Sequence, residues 1–366
     1  MRLAIDAYPL LLRSAGVKNY LYHWIDHLLR ANGGLDISAF PWLPELGPLN
    51  HEGSTLSPWQ TYPRLALLFF LNLPLNPAAS IVTSGFDVLH LTNQIRKRPR
   101  WTRVTATLHD LTCWIMPEVH TKGNIEADRR FADAVVKKAD RLIAVSENTR
   151  QDAIRILGID PDRIEAIHSG VPSAFFDAAP KPAAKPYVLF VGTIEPRKNL
   201  DTLLDAWQAL KPSLRDEYEL LIAGPTGWNS ASTMARLGAG IPGVRHIGYV
   251  EEGDLPGLTA GATVFAYPSL YEGFGFPLAQ AMAARVPVLT SSTSCLPEIA
   301  GDGALLADPR SQSELAAALD RLLTSPSLRA QLALTGRARA ERYRWELCAA
   351  RSIEFFKRAA GASGAS

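Results

Sequence analysis

The stretch Tyr271-Glu272-Gly273-Phe274-Gly275-Phe276-Pro277 puts a carboxylate, two glycines and a proline between an apolar run, 262–268, and an apolar helical stretch, 276–284. Pro277 suits the first turn of a helix, where a missing N–H costs nothing. The run therefore predicts a strand-to-helix corner with exposed backbone N–H groups. Open α/β sheets bind ligands at such corners, beyond the carboxyl ends of their strands. A helix N-terminus there favours an anion such as a pyrophosphate, and the glycines let a ligand approach the backbone closely.

A second corner carries cations. Gly192-Thr193-Ile194-Glu195-Pro196-Arg197-Lys198-Asn199 follows the apolar run 187–191 and precedes a helical stretch at 200–210. Arg197 offers a planar fork and Lys198 a point charge, and together they can neutralise a diphosphate. On charge alone, an exposed basic turn explains the pair equally well. Leu108-His109-Asp110-Leu111 ends a further strand-like run. A lone histidine there is more often packed than catalytic, and Asp110 fits either orienting His109 or capping a helix. Ser14-Ala15-Gly16-Val17-Lys18-Asn19-Tyr20 opens the first helical stretch, and a tight helix start alone explains Gly16. The hydroxyls of Ser291-Ser292-Thr293-Ser294, ahead of Cys295-Leu296-Pro297-Glu298-Ile299, fit helix capping, with Glu298 a further candidate for the ligand pocket.

The elements that must position these residues alternate. Strand-like runs lie at 2–6, 88–91, 104–108, 142–145 and 164–167, and helical stretches at 17–29, 125–138 and 148–157. A Pro- and Ala-rich segment, 171–186, interrupts them. A second set follows, with strands at 187–191, 219–223, 244–247, 263–267 and 286–290 and helices at 200–210, 276–284, 313–323 and 328–342; a last helix covers about 345–359 before a Gly/Ala/Ser tail. Such alternation predicts parallel sheets covered by helices, an α/β class. The expected domains are 1–170 and 187–344, joined by the linker 171–186, with 345–366 as a terminal helix and tail. Clefts between domains are favoured ligand sites. The segment 42–76 is the least legible.

Bulk properties exclude more than they assign. A chain of 366 residues suits two domains, and 47% hydrophobic with 20% charged residues is ordinary globular composition. The net charge of +2 argues against a polyanion binder, so no nucleic-acid partner is expected. Cys113, Cys295 and Cys348 are far apart, with no CxxC spacing, and fit a reducing compartment; no metal site is expected. No signal peptide is visible before the first strand, and the longest apolar run, 65–71, is far short of a bilayer span, so the chain is expected in the cytoplasm. Three motif matches fail on context. Gly238-Ala239-Gly240-Ile241-Pro242-Gly243 spells GxGxxG but precedes a strand instead of following one. Asp160-Pro161-Asp162 spells DxD but reads as a turn. Arg96-Lys97-Arg98-Pro99-Arg100 reads first as a solvated loop; with the apolar 65–71 it also fits peripheral contact with anionic lipid or a polyprenyl diphosphate at the inner face of a membrane.

The Glu272 segment resembles the glutamate-x7-glutamate signature of retaining GT-B-fold glycosyltransferases of family 4, the group 1 glycosyl transferases. The likeness covers nearly the whole chain and is closest to bacterial mannosyl- and rhamnosyltransferases, through Glu195-Pro196-Arg197-Lys198-Asn199 and Leu296-Pro297-Glu298-Ile299. It implies two Rossmann-like domains facing across a cleft, the C-terminal one holding the nucleotide sugar and the N-terminal one the acceptor, with the last helix crossing back. Glu272 then meets the transferred sugar, as does His109, and both are the expected catalytic residues. The expected donor-binding set is Arg197, Lys198, Gly273, Phe274, Gly275, Gln280 and Gly16. The second signature position departs from the family: it holds Gln280 where a glutamate usually grips the ribose hydroxyls, and Ala15 replaces the usual tandem glycine beside Gly16.

The resemblance implies a hexosyltransferase without metal or other cofactor, taking a nucleotide sugar, with GDP-mannose the first expectation. The acceptor would be a glycan or polyprenyl-linked glycan in surface polysaccharide synthesis. Two alternatives stay open: a degenerate, non-catalytic partner subunit that binds nucleotide or glycan, for which Gln280 argues, and another GT-B enzyme such as a nucleotide-sugar epimerase.

Overall fold

The computed structural model describes residues 1–13, 16–31, 33–51, 53–73 and 77–361. Ser14 and Ala15 of the Gly16 loop, residues 52 and 74–76 of the 42–76 segment, and the tail after Gly361 lie outside them. The chain forms two compact units: 1–114 with 122–170 and 345–366, and 115–121 with 171–344.

The first unit is a six-stranded sheet of β1 (Arg2–Asp6), β2 (Asp36–Phe40), β3 (Val88–Leu91), β4 (Arg103–Leu108), β5 (Arg141–Ala144) and β6 (Ile164–Ala166). Its spatial order is β2-β1-β3-β4-β5-β6, with every neighbouring pair parallel. The central strands β3 and β4 are almost wholly buried and, apart from His90 and the leading Arg103, consist of apolar residues and threonine, as strands covered on both faces do. Helix α1 (Gly16–Ala31) buries Tyr20, Leu21, Trp24, Ile25 and Leu28 at helical spacing. It packs on the C-terminal helix Trp345–Gly361, where the Trp24 indole N–H donates to Ser352 Oγ at 2.9 Å. Helix α2 (Pro58–Leu71) and helix α3 (Ala78–Thr83) occupy part of the segment the sequence leaves least legible and the stretch just after it.

The second unit repeats the plan with β7 (Tyr187–Val191), β8 (Glu219–Ala223), β9 (Val244–Gly248), β10 (Val264–Tyr267), β11 (Val288–Ser291) and β12 (Ala304–Ala307), in the order β12-β11-β10-β7-β8-β9. All its pairs are parallel. One core runs from β7, β8 and β10 to the helices Leu200–Gln208 and Gln312–Thr324 through Phe190, Leu203, Trp207, Leu319 and Leu322. Within 171–186, Ser173–Phe176 forms one helical turn that buries Phe175 and Phe176. From 115–121, Met116 and Val119 pack on Tyr271, and the Trp228 indole N–H donates to the Val119 carbonyl at 2.7 Å.

The topology dictates where ligands go. Strand order reverses between β7 and β10, since β8 and β9 lie on one side and β11 and β12 on the other. Loops leaving two such strands diverge, and the crevice between them is the usual site of an open α/β sheet. The GxGxxG string falls at the end of helix Ala231–Ala239 and the turn into β9, and Asp160-Pro161-Asp162 is a capped turn in which Asp160 Oδ1 accepts the Asp162 N–H at 2.9 Å.

Candidate active site

The loop after β7 and the corner after β10 bring Arg197, Lys198 and Glu272 together. Glu272 is 7% exposed, and both of its oxygens are engaged. Oε1 accepts from Lys198 Nζ at 2.6 Å and from the Tyr267 hydroxyl at 2.8 Å, while Oε2 pairs with Arg197 Nη1 at 2.8 Å. Arg197 also donates to Glu195 Oε1 at 2.6 Å and to the Tyr271 carbonyl at 2.9 Å, and Lys198 Nζ donates to the Tyr267 hydroxyl at 2.7 Å. This is a buried network of two carboxylates, two cations and a phenol, not an exposed basic turn. Burial pushes the Glu272 carboxyl up, but Arg197 and Lys198 more than offset it and hold it at about 2. Burial pulls the Lys198 ammonium below its usual range, with Glu272 opposing that pull. Glu272 is therefore an anion at neutral pH, an acceptor only. Of the three N–H donors on Lys198, two are committed and one meets no partner among the described residues.

Local backbone chemistry fixes the corner. Gly275 has φ +83° and caps helix Phe276–Ala283, with Pro277 in its first turn. The positive φ is what favours glycine here; a Cβ would stand 2.8 Å from Leu296 Cδ2, a side-chain tip that would have to shift. Asn199 takes a left-handed conformation, φ 58°, ahead of helix Leu200–Gln208. Its amide donates to the carbonyls of Pro268 at 3.0 Å and Pro309 at 2.6 Å, tying the cationic loop to the end of β10. The Ser294 hydroxyl accepts the Glu272 N–H at 3.0 Å and donates to the Glu272 carbonyl at 2.6 Å. Ser291 Oγ donates to the Ser269 carbonyl at 2.6 Å and Thr293 Oγ1 to that of Leu270 at 3.1 Å. The hydroxyls expected to cap a helix instead satisfy backbone groups of 269–272. The helix Leu296–Ala300 has no side-chain cap from its Ncap residue Cys295. An irregular buried corner leaves backbone groups that something must bond, and the loop after β11 supplies the partners.

The other expected donor residues divide. Gly273 sits in the same corner. The Phe274 ring turns inward, its centroid 5.5 Å from Tyr343 and 5.2 Å from Phe276, so its side chain is core. Gln280, 5% exposed on helix Phe276–Ala283, hydrogen-bonds through its amide to no described residue. Gly16 starts α1 in the first unit, where a Cβ would meet nothing within 4 Å. Neither packing nor backbone demands glycine there. For Glu298, Arg339 Nη2 donates to its backbone carbonyl at 2.5 Å.

His109 follows β4 in the first unit. It lies half-buried with its ring 4.9 Å edge-on from Tyr20, and lines a cavity of about 160 Å³ with His90, Asn93, Asp110 and Trp114. Burial lowers its pKa to about 4 against the pull of Asp110, so the imidazole is neutral near pH 7. Asp110 Oδ1 accepts the Thr112 N–H at 3.0 Å, the helix-start role among its two sequence readings. On the neighbouring strand β3, His90 is fully buried, its ring nitrogens 2.9 Å from Thr105 Oγ1 and from Thr107 Oγ1, and burial lowers its pKa to about 3.

These two histidines give a pH prediction. Both are depressed in the folded state, so between pH 6.5 and about 3–4 the unfolded chain binds more protons and stability falls as pH falls. The combined effect is on the order of several kcal/mol. Denaturant midpoints at pH 7 and pH 4.5 should show the loss, and His90→Gln should flatten it. Equal slopes in the two proteins would refute the assignment. Sequence reasoning missed His90, as well as Glu195, Tyr267, Asn199 and Ser294 around Glu272. Glu195 and Asn199 were visible inside the cationic string. Tyr267 read as one more apolar strand residue, with only its polar tip at the strand end as a signal.

Among the described residues no group of three or more His, Cys, Asp or Glu side chains could hold a metal, and no helix is long and apolar enough to cross a membrane. Cys113, Cys295 and Cys348 are free thiols, all buried.

Comparison with known proteins places the chain in a family. Residues 14–175 match the model described as Glycosyltransferase Family 4, and residues 173–339 match that of Glycosyl transferases group 1. O-antigen chain mannosyltransferase B of Escherichia coli is 33% identical over 270 residues, covering 70% of this chain and 71% of that protein. The MMP alpha-(1->4)-mannosyltransferase of Mycolicibacterium hassiacum is 28% identical, over 76% of this chain and 67% of its own. The sucrose-phosphate synthase structure from Thermosynechococcus elongatus superposes with a TM-score of 0.73 at 20% identity, over 99% of this chain and 100% of that one. That likeness shows the fold, the two Rossmann-like sheets of the GT-B class. With two consecutive family models over 14–339 and a relative at that identity and coverage, the chain belongs to glycosyltransferase family 4, the group 1 glycosyl transferases, and is a glycosyltransferase.

Proposed function

We propose that the protein is a retaining, metal-independent mannosyltransferase. It takes mannose from GDP-mannose to a glycan or polyprenyl-linked glycan in surface polysaccharide synthesis and works in the cytoplasm at the inner face of the membrane. The observation that carries the reading is the ionised Glu272, held between Arg197 and Lys198 at the β7/β10 crevice. An acceptor-only carboxylate at that place suits the hydroxyl groups of a sugar, and the two cations suit a departing diphosphate. The names of the mannosyl-transferring relatives support mannose over other hexoses.

In this proposal the chemistry rests on positioning and leaving-group stabilisation, with the Glu272 carboxylate bonded to the sugar hydroxyls instead of attacking the anomeric carbon. The diphosphate draws Arg197 and Lys198 part of the way off Glu272, and the sugar hydroxyls take the positions on the carboxylate that the cations yield. The remaining Lys198 donor and the backbone of Gly273–Gly275 face the incoming anion. His109, neutral, donates a hydrogen bond to the donor sugar. Gln280 replaces charge-assisted bonds to the ribose by neutral ones, a loss of about 1–2 kcal/mol. That weakens donor binding without touching the phosphate and sugar contacts, which favours an active enzyme over a non-catalytic partner.

The test is a screen of the purified chain against GDP-mannose, UDP-glucose and other nucleotide sugars, with Gln280→Glu alongside. GDP-mannose should give the largest thermal shift, and Gln280→Glu should bind it about tenfold more tightly or equally well. Preference for a UDP sugar would overturn the donor, and tenfold weaker binding by Gln280→Glu would overturn the ribose role.

A further inference from the structure

On the first unit, α2 is apolar on both faces: Leu65, Leu67, Leu68 and Leu71 lie on its less exposed positions, and its exposed face is apolar too. Its exposed positions, Pro58, Trp59, Tyr62, Pro63, Ala66, Phe69 and Phe70, recur every three to four residues and carry no charge. Trp59 is 89% exposed, Phe69 71% and Tyr62 70%. A helix on a folded domain normally turns such a stripe inward. The same segment exposes Ile81 on α3 and Trp101. An exposed aromatic patch of this extent marks a docking surface.

The cations at its border identify the occupant. The Arg96-Lys97-Arg98-Pro99-Arg100 loop is bonded to both helices. Asn72, capping α2, accepts the Arg96 N–H through Oδ1 at 2.9 Å and donates to the Gln94 carbonyl at 3.1 Å, and Lys97 Nζ donates to the Leu73 carbonyl. On the other side the Arg100 N–H donates to Ser80 Oγ of α3 at 3.0 Å. Arg98 pairs with Asp140 at 3.0 Å, whereas the guanidinium groups of Arg96 and Arg100, both exposed, pair with no described residue. Across 58–101 the chain holds five basic residues and one acidic residue, Asp87, whose carboxylate already accepts the Arg2 N–H at 2.7 Å. Aromatic side chains bordered by unpaired cations match the interface of an anionic bilayer, where Trp and Tyr sit at headgroup level and Arg meets lipid phosphate. A second copy docked about a two-fold axis would set the same cations against each other.

We propose that α2, α3 and the 96–101 loop form a docking surface for an anionic lipid bilayer. This deepens the lipid-linked form of the acceptor proposed above and rests on it only for its purpose, not for its evidence.

Co-sedimentation of the full chain with vesicles tests it. The protein should pellet with vesicles of phosphatidylglycerol and phosphatidylcholine in equal parts and stay in solution with phosphatidylcholine alone. Arg96→Glu with Arg100→Glu should weaken binding about tenfold or more. Trp59→Ser, Phe69→Ser and Phe70→Ser together should abolish it, with the circular-dichroism melt of wild type. If the triple variant does not fold, the exposed double-arginine variant decides alone. Wild type left in solution with the anionic vesicles, or variants that pellet as wild type does, would overturn the proposal. So would a dimer, by light scattering, that these substitutions dissociate in place of vesicle binding. Acceptor-free hydrolysis of GDP-mannose by the same variants should equal wild type. Failure of docking is thereby separated from failure of the transferase reading, in which wild type hydrolyses no donor.

Discussion

Glu272→Gln should leave a folded protein whose transfer rate falls by about two to three orders of magnitude, the usual loss when a group aimed at the reacting centre is removed. The substitution keeps the shape and leaves an amide oxygen for Lys198 and Tyr267, but removes the charge shared with Arg197. The two cations then lie closer to full positive charge in a buried pocket. Losing one partner of a buried pair costs about 3–5 kcal/mol where nothing replaces it. The expected melting temperature is therefore lower in the ligand-free protein and largely recovered by a nucleotide diphosphate, which supplies the missing anion. That rescue separates an anion-binding role for Arg197 and Lys198 from a purely structural one. A Glu272→Gln protein with wild-type turnover contradicts the assignment.

The second large effect is expected at Arg197. Its guanidinium joins Glu195, Glu272 and the Tyr271 carbonyl, so it is both a structural strut and the planar donor best suited to a diphosphate. Arg197→Ala should lower kcat/KM by about a hundredfold or more, with most of the loss in kcat if the contact strengthens as the diphosphate leaves. Arg197→Lys should recover part of the stability and little of the rate, because a point charge cannot reproduce the fork between Glu195 and Glu272. Steady-state kinetics and melting curves on the two variants make the comparison. A loss confined to KM would move Arg197 from leaving-group stabilisation to ground-state binding.

The alternation of the sheets was legible because buried parallel strands are short, largely apolar runs: 2–6, 88–91, 187–191 and 219–223 coincide with β1, β3, β7 and β8. β2 escaped because Asp36-Ile37-Ser38-Ala39-Phe40 is short and mixed, as an edge strand is allowed to be. β12, Ala304-Leu305-Leu306-Ala307, escaped because four apolar residues are too short a run to tell a strand from a helix segment, and Leu306 is exposed on the edge. Helix α2 hid in plain view. Its apolar residues were counted as a run, 65–71, and their helical spacing emerged only with the exposed face in hand.

At the site, charged residues in turn-rich strings announced themselves, whereas the groups that position them did not. Nothing in a sequence says that the Tyr267 phenol reaches Glu272, or that Ser294, 22 residues downstream, bonds both its N–H and its carbonyl. Those contacts follow from strand order, β7 beside β10 and β11 beside β10, which local pattern does not encode. The same order explains why Arg197 and Glu272 meet at all.

The most direct measurement of the central claim is acceptor-free hydrolysis of GDP-mannose, with the first-formed mannose anomer read by proton NMR before it equilibrates. Wild-type protein should release GDP together with α-mannose, without added metal, and Glu272→Gln should do so about a hundredfold or more slowly. Release of the β anomer, or equal rates in the two proteins, would contradict a retaining transfer centred on Glu272.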